Sequence, residues 1–318
     1  MIKDGSFLTD DITSDNIAKI SAKQSVAEEA RICELAELAD GAAEYAAELF
    51  AEGYDVYAIL SLISEAMESK YTEVHSFALP ENLTSLTSYL KKVCEFDRVI
   101  FAELLADKIR AKGIKVCEED FLASFSGDET FTYVRNPLAD EAYDVFTQDF
   151  VNARVKYSAS LSEAAHSVAT GEFEYALLPL EERGGARLAA VAALLFKEEL
   201  KINSVTPVFG SEGTADMKYA LVSKHFSVPE FREDDDRYLE IRLRADLSIS
   251  LAELFSAADA LGVSLYRVNT ISFDTEDGAI AHYSLVFRDE GKDFTALLVY
   301  LTLFSGAYTA VGIYKNLE

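Results

Sequence analysis

The feature that most limits the fold is a six-element order near the C-terminus. Tyr238-Leu-Glu-Ile-Arg-Leu243 alternates with a period of two, as a β-strand does. Leu251, Leu254, Phe255, Ala258 and Leu261 recur at helical spacing, and Gly262 closes the run. Residues 264–271 and 281–287 read as strands, Phe294, Leu297, Leu298 and Leu301 as a second helical stripe, and 308–314 as a last strand. Strand, helix, strand, strand, helix, strand is the ferredoxin-like order.

Upstream, residues 130–224 also alternate. Strands are predicted over 130–134, 155–157, 173–178, 202–209 and 218–222, the third ended by Pro179. Asn136-Pro137 reads as a turn before a helix over 140–150. Ser160-Leu-Ser-Glu163 is a capping box that opens a helix closed by Gly171, and 186–199 is an Ala/Leu-rich helix. Such alternation predicts helices covering a largely parallel sheet. The charged run Glu230-Phe-Arg-Glu-Asp-Asp-Asp-Arg237 reads as a solvated linker between domains.

The N-terminal part is helical. Ser25 and Glu28 form a capping box; Ala42, Tyr45, Ala46, Leu49 and Phe50 share a face that Gly53 terminates. Asp55 caps a helix with Val56, Ile59, Leu60, Ile63 and Met67 on one stripe, and Asn82 leads into Leu83, Leu86, Leu90 and Val93. These stripes read as core. Residues 98–101 fit either a short strand, with a helix over 102–112 capped by Gly113, or part of one helix over 95–112.

A chain of 318 residues, half apolar or aromatic, builds about two to three cores. Fifty-five acidic against 29 basic residues give a net charge of −26. That field repels phosphate backbones and anionic lipid, so neither nucleic acid nor membrane is an expected partner. The opening residues lack an apolar core of signal-peptide length, no run reaches the roughly 18 apolar residues of a membrane span, and a cytoplasmic location is expected. Cys33, Cys94 and Cys117 are too scattered for a disulfide framework and read as small buried hydrophobes. The histidines, His75, His166, His225 and His282, have no metal-ligand spacing; no metal or cofactor is expected. Asp234, Asp235 and Asp236 attract a cation weakly or simply solvate the linker.

One candidate site stands out. Glu181, Arg183, Arg187, Lys218 and Arg135 fall where strands of an open α/β sheet end, the usual place for a ligand. Together they make a pocket for a carboxylate metabolite, or separate surface ion pairs of little worth. Gly184-Gly185 before the helix either leaves free amides for an anion or is a plain connection.

The stretch 160–181, with a capped helix, Gly171-Glu-Phe-Glu-Tyr175 and an apolar strand ending in Pro179-Leu-Glu181, resembles the prephenate dehydratase family. The C-terminal module, down to Val311-Gly-Ile-Tyr314, is similar to the ACT domain that follows the dehydratase there. The resemblance spans roughly residues 130–318. It implies three parts: a mainly helical region over 1–125, one lobe of a periplasmic-binding-protein-like α/β unit over 126–229, and an ACT-like domain over 230–318. The helical part stands where some relatives carry a chorismate mutase domain, without a matching motif. By family position the resemblance implies Glu181 and Lys218 as catalytic residues and Arg135, Glu182, Arg183 and Tyr219 as substrate-binding. It implies Ser250, Leu251, Asn269 and Thr270 as effector-binding.

The departures are as telling. The family's Thr-Arg-Phe corresponds to Met217, Lys218 and Tyr219. Expelling hydroxide with carbon dioxide from prephenate calls for a hydroxyl donor and for cations that hold two carboxylates. Methionine has no proton to give, and lysine lacks the guanidinium fork. The Asn and Ser after the family's Pro-Ile-Glu are Glu182 and Arg183, its glycine-rich loop is Arg135-Asn-Pro-Leu138, and between Gly210 and Asp216 a whole lobe is missing. In the ACT-like part, Ile249-Ser-Leu251 replaces Gly-Ala-Leu, and a branched Ile249 blocks the close approach of an amino acid. The expectation is a degenerate dehydratase that binds a small carboxylate or aromatic amino acid, or regulates a partner, as a homodimer through its ACT-like domain. An active dehydratase whose cleft residues 1–125 complete, and a purely structural dimer, are the alternatives.

Overall fold

The computed structural model describes residues 33–68, 98–114, 130–148, 150, 152–182, 185–209, 217–226, 231, 235–245, 250–275, 278–289, 293–303 and 308–317. Its helices are α1 (33–51), α2 (Val56–Glu68), α3 (Arg98–Ala111), α4 (Pro137–Phe146), α5 (Leu161–Ala169), α6 (Ala189–Lys197), α7 (Leu251–Ala260) and α8 (Thr295–Thr302). The strands are β1 (Thr130–Tyr133), β2 (Arg154–Tyr157), β3 (Tyr175–Glu182), β4 (Lys201–Val208), β5 (Met217–Ser223), β6 (Arg237–Arg244), β7 (Val263–Thr275), β8 (Gly278–Asp289) and β9 (Tyr308–Lys315). No described helix is long and apolar enough to cross a membrane.

All nine strands join one sheet in the order β2-β1-β3-β5-β4-β9-β6-β8-β7. The sheet is mixed, not largely parallel. β1 runs parallel to β2 and β3, but β5 turns back between β3 and β4, antiparallel to both. The strands over 202–209 and 218–222 are thus hairpin partners, which alternation with helices elsewhere in the unit concealed. The last four strands, β9-β6-β8-β7, have the ferredoxin-like arrangement that their sequence order predicts, and they are antiparallel throughout.

The two sets of strands meet where β4 lies parallel to β9, with Ile202 opposite Gly312. A Cβ at Gly312 would sit 2.3 Å from the Ile202 carbonyl oxygen, so only glycine permits this approach. Around it, Leu317 N–H donates to Val205 O at 2.7 Å, Thr206 Oγ1 to Leu317 O at 3.0 Å and Lys201 Nζ to Ala310 O at 2.9 Å.

Side chains alternate across the sheet and divide the core. Leu239, Ile241, Leu243, Leu285, Phe287 and Ile313 face α7 and α8, and the same core takes in Ala42, Ala46, Leu60, Phe101 and Leu105 of α1, α2 and α3. The N-terminal helices therefore lie against the ferredoxin-like helices. Tyr238, Val286, Val311 and Tyr314 point to the other face, where α5 and α6 pack. A third cluster, with Phe131, Tyr133, Leu177 and Tyr219, sits under α4.

Several boundaries differ from the sequence reading. Residues 98–101 are helical, because Phe101, Leu105 and Ile109 bury one face of α3. Pro179 does not end β3: it sits in register with Tyr219, and the ladder slips by one residue before Glu181. α4 starts early, since Asn136 caps it through Ala139 N–H at 3.0 Å and Pro137 takes the first helical position. Ser160 caps α5, but Glu163 reaches back to Ala159 N–H, one residue before the cap, at 2.8 Å. A reciprocal capping box, in which both hydrogen bonds form, is Ser250–Glu253 at α7. Cys33 is exposed, not buried. The charged run is held rather than free: Lys315 binds Asp235 at 2.8 Å, and Arg288 binds Asp236 at 2.6 Å. Ser25, Glu28, the stripe over 82–93, Cys94, Cys117, Asp234 and the side chain of Met67 lie outside the described residues.

Gly312→Ala is expected to destabilise the protein by about 1–3 kcal/mol, the range for overpacking, measured by urea unfolding. A loss no larger than that of an exposed alanine substitution would contradict the seam.

Candidate functional site

The candidate site begins at the end of β3. A tight turn through Gly185, at φ +84°, brings the chain back so that Arg187 bridges to Glu181 across an antiparallel pair. Gly185 N–H donates to Glu182 O and Glu182 N–H to Ala186 O, each at 2.9 Å. Gly185 thus serves a hairpin, and α6 begins only at Ala189; it does not present free helix amides to an anion. Register also places Lys218 of β5 beside Glu181.

Four further residues arrive from the ferredoxin-like strands. Arg267 of β7 forms a close ion pair with Glu181, and Arg187 forms one with Glu240 of β6. Arg187 is also 3.7 Å from Glu181, and Lys218 is 3.9 Å from it. Glu240 accepts from Ser284 Oγ at 3.0 Å and from Tyr314 Oη at 3.1 Å. Glu181 and Glu240 are each 4% exposed. The result is an alternating chain, Arg267–Glu181–Arg187–Glu240, buried between the sheet and the α6 connection.

Burial and charge act in opposite directions on these groups. Burial disfavours the Arg187 cation, but Glu240, the Tyr314 phenol and Glu181 outweigh it and hold the guanidinium charged above its ordinary range. Burial, then the Glu240 charge, raise the Tyr314 phenol well above its usual value. A small recess opens beside the chain, lined by Glu181, Lys218, Tyr266, Arg267, Tyr314 and Asn316. Its empty volume is about 280 Å³ including open solvent, and its enclosed part holds about one water molecule. Glu181 Oε2 is buried there without a hydrogen-bond partner.

Of the residues singled out from sequence, Glu181, Arg187 and Lys218 come together. Arg135 does not: it is exposed, pairs with Asp140 at 3.5 Å and lies over the Tyr157 ring. Tyr219 is buried under α4 and donates to Asn136 Oδ1 at 3.3 Å. Glu182 is exposed at the end of β3, and Arg183 lies outside the described residues. The four effector positions do not share one face. Ser250 caps α7 and Leu251 packs beneath it. Asn269 is opposite Ser284, on the Glu240 face, whereas Thr270 is opposite Tyr283, on the α7 face. His166 is solvent-facing, 3.2 Å from Glu198, and His282 packs on Phe196. Among the described residues no group of acidic, histidine or cysteine side chains has the arrangement of a metal site.

Arg267, Glu240 and Tyr314 were missed. The one available signal was Glu240 in the middle of an apolar strand, between Leu239 and Ile241, since a carboxylate buried on a second covered face needs a cation.

No protein-family model matches the chain, and no curated protein matches it. Among solved structures it is similar to a prephenate dehydratase from Streptococcus mutans, at 15% identity over 59% of this chain and 99% of that one, with a TM-score of 0.47. It is similar to the prephenate dehydratase from Arthrobacter aurescens in complex with L-Phe, at 17% identity over 58% and 89%, with a TM-score of 0.42. It is also similar to GqqA, described as a novel type of quorum quenching acylases, at 16% identity over 59% and 96%, with a TM-score of 0.44.

Two outcomes follow from the buried chain. Arg187→Met is expected to cost about 3–5 kcal/mol in urea unfolding, because two carboxylates lose their shared cation. Adding Glu240→Leu should return part of that loss; a cost below about 1 kcal/mol for the single change would sink the network. The Tyr314 phenol is raised in the folded state, so its contribution is complete below its unfolded value of 10.0 and is lost as pH rises beyond it. Unfolding midpoints should fall more steeply above about pH 10 for the wild type than for Tyr314→Phe. Parallel profiles would contradict this.

Proposed function

We propose that this protein is a degenerate relative of prephenate dehydratase, divided as 1–125, 126–229 and 230–318. It acts in the cytoplasm as a small-molecule-binding regulatory protein and dimerises through its ACT-like part. One observation supports this most: the Glu181 carboxylate, at the family's catalytic position, is 4% exposed and engaged by Arg187 and Arg267. A carboxylate so engaged is not free to exchange a proton with a substrate, and the enclosed part of the recess beside it holds about one water. Met217 and Lys218 stand where the family has a hydroxyl donor and an arginine, so neither leaving-group protonation nor bidentate carboxylate binding is supplied.

The alternative of an active dehydratase completed by the N-terminal region gains no support from α1, α2 and α3, which pack on the sheet face opposite Glu240. Incubating the protein with prephenate and following phenylpyruvate by its absorbance in alkali is expected to give no turnover above the spontaneous rate. Turnover that Glu181→Ala abolishes would overturn the reading. Thermal stabilisation by prephenate, phenylpyruvate or phenylalanine would support a binding role; no shift with any of them would favour a purely structural one.

A further inference from the structure

Arg242 of β6 lies two residues beyond Glu240 on the same covered face, and it is 9% exposed. Unlike Arg187 and Arg267, it has no carboxylate partner among the described residues, and its Nε is buried without an acceptor. Its guanidinium lies over the Phe196 ring at the end of α6, 5.2 Å from the centroid. Stacking on an aromatic face favours the cation but leaves its N–H donors unused. A buried Nε–H with no acceptor carries a desolvation cost that an oxyanion would remove.

A second cation is directed to the same place. Lys201 of β4 reaches across the seam to Ala310 O at 2.9 Å, next to Thr309, which stands opposite Arg242 in the ladder. Burial and then the Arg242 charge lower the Lys201 ammonium below its ordinary value. On this face Glu181 and Glu240 are already taken by Arg267 and Arg187. Glu240 acts on Arg242 and Glu199 on Lys201 through their charges, but neither carboxylate forms an ion pair with them among the described residues, so both cations keep donors for a further anion in a chain whose net charge is −26.

We propose that Arg242 and Lys201 form the floor of a site for a small oxyanion, a carboxylate or phosphate group, beneath the Phe196 ring. The planar guanidinium takes two oxygens side by side, and the lysine supplies a point charge. The Phe196 ring covers the guanidinium from the α6 side, which favours a compact anionic group over a bulky one.

Calorimetric titration of the full-length protein with inorganic phosphate and with acetate, at ionic strength held constant with sodium chloride, tests the site. Saturable binding of at least one anion is expected, and which one binds identifies the group recognised. Affinity should fall roughly tenfold in Arg242→Gln and fall also in Lys201→Met, and it should be unchanged in Lys156→Met on the distant strand β2. Circular dichroism confirms folding; should Arg242→Gln fail to fold, Lys201→Met decides. Absence of saturable binding of both anions to the wild type, or undiminished affinity in the folded variants, would overturn the proposal.

Discussion

The structure turns on a run of four alternating charges, Arg267–Glu181–Arg187–Glu240, drawn out of water between strands of different origin in the chain. Each charge is tolerable there only because its neighbours carry the opposite sign. Glu181 comes from β3, Arg187 from the hairpin after it, Glu240 and Arg267 from strands more than 50 residues later. The α/β strands and the ferredoxin-like strands therefore stay registered not by apolar contact alone but by the requirement that no member be left unmatched. The Gly312 approach and the hydrogen bonds of Leu317 and Thr206 are the backbone counterpart of the same requirement.

That arrangement bears directly on chemistry. In a working acid–base site, a carboxylate keeps a face toward substrate and a proton to exchange. Glu181 has its charge committed to two guanidiniums and little space beyond its free oxygen. Glu181 thus serves cohesion between the two sets of strands.

Much of this was legible in the sequence. The C-terminal element order, the stripes of α1, α2, α7 and α8, and the convergence of Glu181, Arg187 and Lys218 follow from periodicity and position. What could not be read came from long-range pairing. The antiparallel return of β5 between β3 and β4 has no local signature, because strand direction is set by partners rather than by residues. The alternation of β6 identifies two faces without saying that α6 covers the second, so only Glu240, set between Leu239 and Ile241, hinted at burial there, and Arg242 carried no such sign. Arg267 lies 86 residues from Glu181, beyond any spacing rule. Arg135 misled because a charge near a strand end is more cheaply satisfied by its neighbour Asp140 than by a distant cluster.

The parallel seam at Ile202 and Gly312 has a mechanical consequence. Binding proteins with two lobes respond to ligands by swinging those lobes about a loop hinge. Here the join is a hydrogen-bonded ladder without the volume of even one methyl group to spare. Twisting it means breaking strand contacts, so the α/β strands and the ferredoxin-like strands are tied as one sheet rather than hinged about a loop.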